Sequence, residues 1–195
     1  MNIIAVISNK GGVGKTTVAI NASFYLSEKY SGETLIMELD SSPGDFGPIF
    51  DIDAEKSLEF AIRFPNNYMN YLKKIKDNLY VLKGISNPLF SDCINPEELK
   101  CLLMKISEKY SNIVIDTQTV INKLILDICR LASKIILVTD YTLESISRIV
   151  NLYELLTDKY LVDREKINLI VNKKRFLDYF RILIFSKFKN IPIRG

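Results

Sequence analysis

The chain alternates short apolar runs with longer segments whose apolar residues recur at helical spacing. The runs are apolar at successive positions rather than at alternate ones, which is typical of parallel strands buried between two layers of helices. The pattern predicts an α/β fold, a doubly wound, mostly parallel sheet with helices on both faces. The predicted strands are Asn2–Ile7, Thr34–Leu39, Leu79–Leu82, Asn112–Ile115, Lys134–Thr139 and Ile167–Val171.

The segments between these runs are interpreted as helices. In the first of them Val18, Ala22 and Leu26 form one apolar stripe. Asn95 followed by Pro96 and then by acidic residues is a typical helix start. The predicted helices are Lys15–Lys29, Leu58–Lys76 in two pieces broken at residues 65–67, Asn95 to about Tyr110, Ile121–Leu131 and Leu143–Asp158.

The last segment, Arg175–Lys189, is very apolar and bordered by basic residues. A helix that packs on the sheet is the favoured interpretation, and a helix that lies on a membrane surface is the alternative. The nearby basic residues are ordinary surface residues by default, and a DNA-binding cluster is the functional alternative. They are Lys173, Lys174, Arg175, Arg181, Lys187 and Lys189.

Composition narrows the chemistry. The 195 residues are 48% hydrophobic and 25% charged, which predicts one globular domain over residues 1–195. The sequence has no histidine, so every histidine-based catalytic triad and zinc site is excluded. Cys93, Cys101 and Cys129 are widely spaced and are interpreted as reduced thiols. With neither a signal peptide nor a long apolar run, the chain is expected to be cytoplasmic.

A glycine-rich loop between the first strand and the first helix carries the strongest chemical signal. Its sequence is Lys10-Gly-Gly-Val-Gly-Lys-Thr-Thr. Glycines let successive amides point at phosphate oxygens, and the new helix adds its positive end. Lys15 is placed to reach the β- and γ-phosphates, and the Thr16 hydroxyl to bind Mg²⁺. The strict P-loop pattern fails only at its first glycine position, which is Asn9.

This loop resembles the deviant Walker A motif of the ParA/MinD family of ATPases, in the SIMIBI class of P-loop NTPases. The resemblance implies that Lys10 is the signature lysine, which reaches across a dimer interface to the partner subunit's nucleotide. It further implies ATP and Mg²⁺ as cofactors, a homodimer with ATP sandwiched at its interface, and an activating protein partner. The residues it assigns to the nucleotide are Lys10, Gly11, Gly12, Val13, Gly14, Lys15, Thr16, Thr17 and Asn172.

The resemblance also assigns residues at the ends of three later strands. Asp40 would orient the attacking water near Mg²⁺, which makes it catalytic together with Lys10 and Lys15. Asp116 follows an apolar strand that resembles the Walker B motif, and it joins Thr16 and Asp40 around the metal. Asn172 ends a strand whose amide would read adenine. Glu38 stands where the family usually has Asp, and Gln118 and Thr119 stand where prolines are usual.

Three functions stay open on the sequence. The favoured one is an ATP-dependent dimerising switch that positions DNA, a division site or a pilus or secretion apparatus. Within the family, residues 39–46 most resemble the TadZ/CpaE pilus-assembly ATPases, without the receiver-like domain usual ahead of them. The alternatives are a metabolic P-loop enzyme and a non-hydrolysing ATP-binding scaffold. The family's last strands and helices would lie beyond Gly195, so we expect a shortened C-terminus.

Overall fold

The computed structural model describes residues 2–40, 44–86 and 94–173, which build one seven-stranded sheet in the order β3-β4-β2-β5-β1-β6-β7. Every neighbouring pair is parallel except the β3–β4 hairpin. The strands are β1 Asn2–Ile7, β2 Thr34–Leu39, β3 Lys73–Lys76, β4 Leu79–Leu82, β5 Asn112–Thr117, β6 Lys134–Asp140 and β7 Ile167–Asn172.

The first strand lies in the middle of the sheet, between β5 and β6. The chain leaves β1 towards one edge through β2 and β4, returns to β5, and then crosses to β6 and β7 on the other side. Loops at the carboxyl ends of β1 and its neighbours therefore meet at the point where the strand order reverses. Ligands of open α/β sheets bind at such a point.

Helices cover both faces of the sheet, as the apolar runs predict. Side chains alternate along β1, so that Ile3 and Ala5 join one buried cluster while Ile4 and Val6 join the other. Helices α1 and α2 contribute to the second cluster and α3 to α6 to the first. The helices are α1 Lys15–Lys29, α2 Phe46–Phe50, α3 Leu58–Arg63, α4 Pro96–Lys109, α5 Lys123–Leu131 and α6 Leu143–Glu154.

One predicted element is wrong. The segment expected to be helical as far as Lys76 is a short helix, then a 3₁₀ helix over Pro65–Tyr71, and then strand β3. A turn at Asp77 and Asn78, with Asn78 at φ 63°, sends the chain back into β4. Strand β3 lies at the edge of the sheet, where its Lys74 side chain is exposed. Among the described residues, α2 is a further element that the sequence pattern did not predict.

The other boundaries agree closely with the predictions. Helix α4 begins as expected, with the Asn95 side chain accepting a hydrogen bond from the Glu97 amide at 2.9 Å. Helix α6 ends at Glu154, where a π-helical turn over Leu155–Lys159 continues it to the predicted end. Cys93, the segment Arg175–Lys189 and most of the predicted basic cluster lie outside the described residues.

Candidate nucleotide-binding site

The glycine-rich loop joins the carboxyl end of β1 to α1 at the reversal point of the sheet. Gly12 and Gly14 have φ values of 71° and 99°, a backbone region that favours glycine. Gly14 caps α1, and a Cβ there would overlap the side-chain amide of Asn172 at the end of β7. The loop therefore has the bent backbone, the helix start and the strand context of a phosphate-binding loop.

Lys10 is held by its own chain. Its ammonium donates hydrogen bonds to Asp140 Oδ2 at 3.2 Å, Thr142 Oγ1 at 3.2 Å and Ser145 Oγ at 2.6 Å. These partners belong to the end of β6 and the start of α6, where the Thr142 hydroxyl also caps the helix by accepting from the Ser145 amide. All three ammonium donors are thus satisfied by one strand-to-helix junction.

The electrostatics of this junction favour the ion pair. Burial acts to raise the pKa of Asp140, but hydrogen bonds from Ser145, Thr142 and Lys10 outweigh it and hold the pKa at about 2. Asp140 is therefore ionised at neutral pH and holds the Lys10 ammonium at the end of β6. Sequence reasoning missed this network, although Asp140 ends an apolar strand, as Asp40 and Asp116 do.

Asp116 is the buried carboxylate of the site. It is the next-to-last residue of β5, beside β1, with 4% of its surface exposed, and burial raises its pKa to about 7. A hydrogen bond from Thr16 and the charge of Lys15 act in the opposite direction. Among the described residues its Oδ1 has no hydrogen-bond partner. A buried carboxylate oxygen without a donor is costly, and a bound cation would remove that cost.

The second acidic strand end belongs to β2. Asp40 follows the strand and is close enough to raise the pKa of Asp116 by its charge, so the structure brings both carboxylates to one place. Glu38 is directly opposite Asp116 in the β2–β5 register and is 3% exposed. Burial raises the pKa of Glu38, while amides from Gly84, Phe46 and Asp45 act to lower it.

Asn172 and Lys173 bring the end of β7 onto the loop. The Asn172 side chain donates to the Val13 carbonyl at 2.9 Å, and the Lys173 ammonium donates to the Gly12 carbonyl. The residue predicted to read adenine thus lies beside the loop, with its side-chain nitrogen hydrogen-bonded to the loop backbone. Thr17 is exposed on the first turn of α1, and its carbonyl accepts from Asn21.

The described residues fit Mg²⁺ bound with a nucleotide. Mg²⁺ keeps several waters and takes one or two protein oxygens together with phosphates, so it needs no cage of side chains. Thr16 in the first turn of α1 and the unpartnered Asp116 oxygen near the end of β5 meet this requirement. The described residues contain no group of three or more Asp, Glu and Cys that would hold a metal by themselves.

Comparisons with known proteins identify the family of the chain. The family model described as an AAA domain (AAA_31) matches residues 1–171, and the chain belongs to the ParA/MinD family of P-loop NTPases. The septum site-determining protein MinD of Thermotoga maritima is 28% identical over 186 residues, 88% of this chain and 64% of that protein. The uncharacterized protein MJECL24 of Methanocaldococcus jannaschii is 32% identical over 133 residues, 60% of this chain and half of that protein.

Solved structures show the same fold. The ParA family ATPase of Chlorobium tepidum superposes with a TM-score of 0.85 at 18% identity, over 98% of this chain and 82% of that one. The MinD of Pyrococcus horikoshii complexed with Mg-ADP has a TM-score of 0.79 at 20% identity, over 98% and 79%. A putative plasmid partition protein of Borrelia burgdorferi bound to AMPPNP has a TM-score of 0.74 at 22% identity, over 96% and 82%.

The chain spans about half to two thirds of the length of the curated relatives it matches. Within residues 2–40, 44–86 and 94–173, no helix combines the length and the hydropathy needed to cross a bilayer.

Proposed function

We propose that this protein is a Mg²⁺- and ATP-dependent ATPase switch that dimerises around its nucleotide and positions a cellular cargo. The observation that carries the proposal is the loop itself, in which Lys10 and Lys15 are five positions apart. Beside it lies the buried Asp116 oxygen that has no hydrogen-bond partner among the described residues. The names of relatives, a septum site-determining protein and plasmid partition proteins, support a positioning role. We expect a cytoplasmic protein that reaches a membrane, a cell pole or DNA through its partners.

Each residue of the site has a distinct role in this proposal. The loop amides and Lys15 bind the β- and γ-phosphates, while Thr16 and Asp116 supply oxygens for Mg²⁺, which when bound offsets phosphate charge. Asp40 orients the attacking water by accepting its hydrogen bond, because phosphoryl transfer depends on positioning and charge neutralisation rather than on a strong base. Asn172 contacts adenine through its amide.

In this proposal, Lys10 alternates between contacts in its own chain and contact with the nucleotide of a partner subunit. Its ammonium is bound to Asp140, Thr142 and Ser145 of its own chain, so contact with a partner subunit's nucleotide requires these hydrogen bonds to be exchanged. The triphosphate offers a larger negative charge than one carboxylate, which favours the exchange when ATP is bound. After hydrolysis the contact in its own chain becomes favourable again, and the subunits separate.

The test is the oligomeric state of an Asp40→Ala variant, measured by size-exclusion chromatography with light scattering. We expect a dimer with ATP and Mg²⁺ and a monomer with ADP. Adding Lys10→Ala should abolish the dimer, whereas Lys123→Ala, which removes a surface lysine paired with Asp127, should leave it intact. A monomer with saturating ATP at micromolar concentrations of Asp40→Ala would overturn the dimerising switch.

Phosphate release separates the remaining alternatives. Gln118, in the segment where the family has prolines, donates its backbone amide to the Leu39 carbonyl at 3.2 Å, which ties this segment to the end of β2. ATP binding without phosphate release, with or without lipid or DNA, would indicate the non-hydrolysing scaffold. Turnover that depends on a small metabolite would indicate a metabolic enzyme.

A further inference from the structure

The carboxylate of Glu38 joins two chain segments that are far apart in sequence. Its Oε1 accepts the Phe46 amide at 3.1 Å and its Oε2 accepts the Gly84 amide at 2.9 Å, and both bonds are buried. Phe46 begins α2, and Gly84 follows β4. The two oxygens therefore fix the segment after Asp40 to the end of the neighbouring strand.

Two glycines make room for this carboxylate. A Cβ on Gly44 would overlap both of its oxygens, and a Cβ on Gly84 would lie 3.0 Å from Oε2 and 3.1 Å from the Asp40 carbonyl oxygen. Neither glycine has a positive φ, so the requirement for glycine here is one of space rather than of backbone conformation. The close approach also places Gly84 directly against the backbone of Asp40.

We propose that Glu38 is a positioning residue that sets the place of Asp40 by fixing the chain on both sides of it. Glu38 is anchored in β2 two residues before Asp40, and its side chain holds Gly84 against the Asp40 carbonyl and Phe46 beyond it. The role attributed to Asp40 rests on the proposed function, while the contacts of Glu38 are independent of it.

The chemistry of the side chain explains why a carboxylate of this length is needed. Both side-chain oxygens accept from backbone amides, so both side-chain atoms must be acceptors, and glutamine would turn an N–H donor towards one amide. Aspartate keeps two acceptors but withdraws them by one methylene from Phe46 and Gly84. The departure from the family's usual Asp thus coincides with two glycines that fit the longer side chain.

Steady-state kinetics of Glu38→Gln provide the first test. We expect the kcat for ATP hydrolysis to fall by about 10- to 100-fold, because small misplacements of a reacting group have effects of this size. The Kd for a fluorescent ATP analogue should change by less than about threefold, since the phosphate-binding loop is untouched. The matched control is Glu59→Gln, which removes a carboxylate that accepts from the Ser86 amide but does not reach the Asp40 segment.

An unchanged kcat in folded Glu38→Gln would overturn the proposal. A parallel loss of ATP binding and kcat would also overturn it, because it would indicate a general structural role. A double-mutant cycle keeps the proposal testable if the single variant is unstable. We expect Gly44→Ala to lower kcat strongly alone and much less in the Glu38→Asp background, where the shorter side chain leaves space for the new Cβ. Additive effects would contradict the proposal.

Hydrogen exchange separates this proposal from the proposed function, because it needs no nucleotide. In Glu38→Gln, mass spectrometry should show faster exchange in peptides that contain Phe46 and Gly84, whereas Glu59→Gln should affect Ser86. Unchanged exchange at Phe46 and Gly84 would overturn the anchoring by Glu38 even if the protein is an ATPase. If the wild-type protein fails to bind ATP but the expected hydrogen-exchange changes are observed, the proposed ATPase function is refuted and the anchoring by Glu38 is not.

Discussion

Two buried carboxylates lie opposite each other on adjacent strands, and their surroundings differ. Glu38 on β2 and Asp116 on β5 are register partners, 3% and 4% exposed, and burial raises the pKa of both. Both oxygens of Glu38 accept backbone amides, whereas one oxygen of Asp116 has no partner among the described residues. Of these two register partners, Glu38 has hydrogen bonds to both side-chain oxygens, whereas Asp116 has one oxygen without a hydrogen bond in the described part of the chain.

The difference separates a carboxylate whose two oxygens are satisfied from one with an unpartnered oxygen among the described residues. A buried carboxylate is tolerated in a fold when donors satisfy it, as they do at Glu38. At Asp116 the missing donor is a cost to the folded chain that a ligand can reverse. Substitutions at the two positions should therefore act differently on activity and with opposite signs on stability.

The largest effect is expected for ATP hydrolysis in Asp116→Asn. We expect the rate of phosphate release to fall by about 100-fold or more, because metal charge at the phosphates contributes several kcal/mol to the transition state and the amide holds Mg²⁺ less well. Colorimetric phosphate release at saturating Mg-ATP measures the effect. Asp127→Asn, in a surface carboxylate paired with Lys123, is the control, and wild-type turnover in Asp116→Asn would contradict the assignment.

Much of this arrangement is predictable from the sequence, because strands of consecutive apolar residues end on polar ones. Asp40, Asp116 and Asn172 were placed at the ends of strands by that pattern, and parallel strands bring such ends to one edge of the sheet. The structure confirms the fold, and it brings all three positions near the glycine-rich loop. Their roles towards ATP and Mg²⁺ stay predictions.

Contacts between distant segments were not predictable. Lys10 contacts Asp140, Thr142 and Ser145 across 130 to 135 positions, and nothing local marks them as its partners. The role of Glu38 depends likewise on amides that tertiary packing brings to it. Strand β3 was missed for a different reason: the prediction continued the helix to Lys76 and did not include the turn at Asp77 and Asn78 that returns the chain into β4.

The next largest effect is a pair of stability changes with opposite signs. At pH 8, Asp116→Asn should raise the free energy of unfolding of the nucleotide-free protein by about 1 to 3 kcal/mol, because it removes a carboxylate charge for which burial outweighs the favourable contacts with Thr16 and Lys15. Glu38→Gln should lower it by about 1 to 3 kcal/mol, because one buried amide then faces a donor. Urea denaturation followed by circular dichroism measures both, and changes of the same sign would refute the comparison.

The smallest effect is the pH dependence of the increase in the free energy of unfolding that Asp116→Asn should cause. The pKa of Asp116 is about 7 in the folded chain and 3.8 ordinarily, so between these values the folded state binds more protons than the unfolded state. Stability from this group therefore falls as the pH rises from about 4 to 7, and the full cost is present only above about 7. The difference between variant and wild type should accordingly shrink from pH 8 to near zero at pH 4.

Taking the difference between the two proteins removes the contributions of carboxylates that do not interact with Asp116. Glu38 and Asp40 interact with Asp116 through their charges, so the difference reports Asp116 together with its coupling to these two groups. Urea titrations at several pH values between 4 and 8 measure it. If the free energy of unfolding of Asp116→Asn exceeds that of the wild type by the same amount at every pH, ionisation of Asp116 does not destabilise the folded state. Mg²⁺ with ATP should remove this stability difference at pH 8. A bound cation stabilises the ionised carboxylate of the wild type more than it stabilises the amide of the variant.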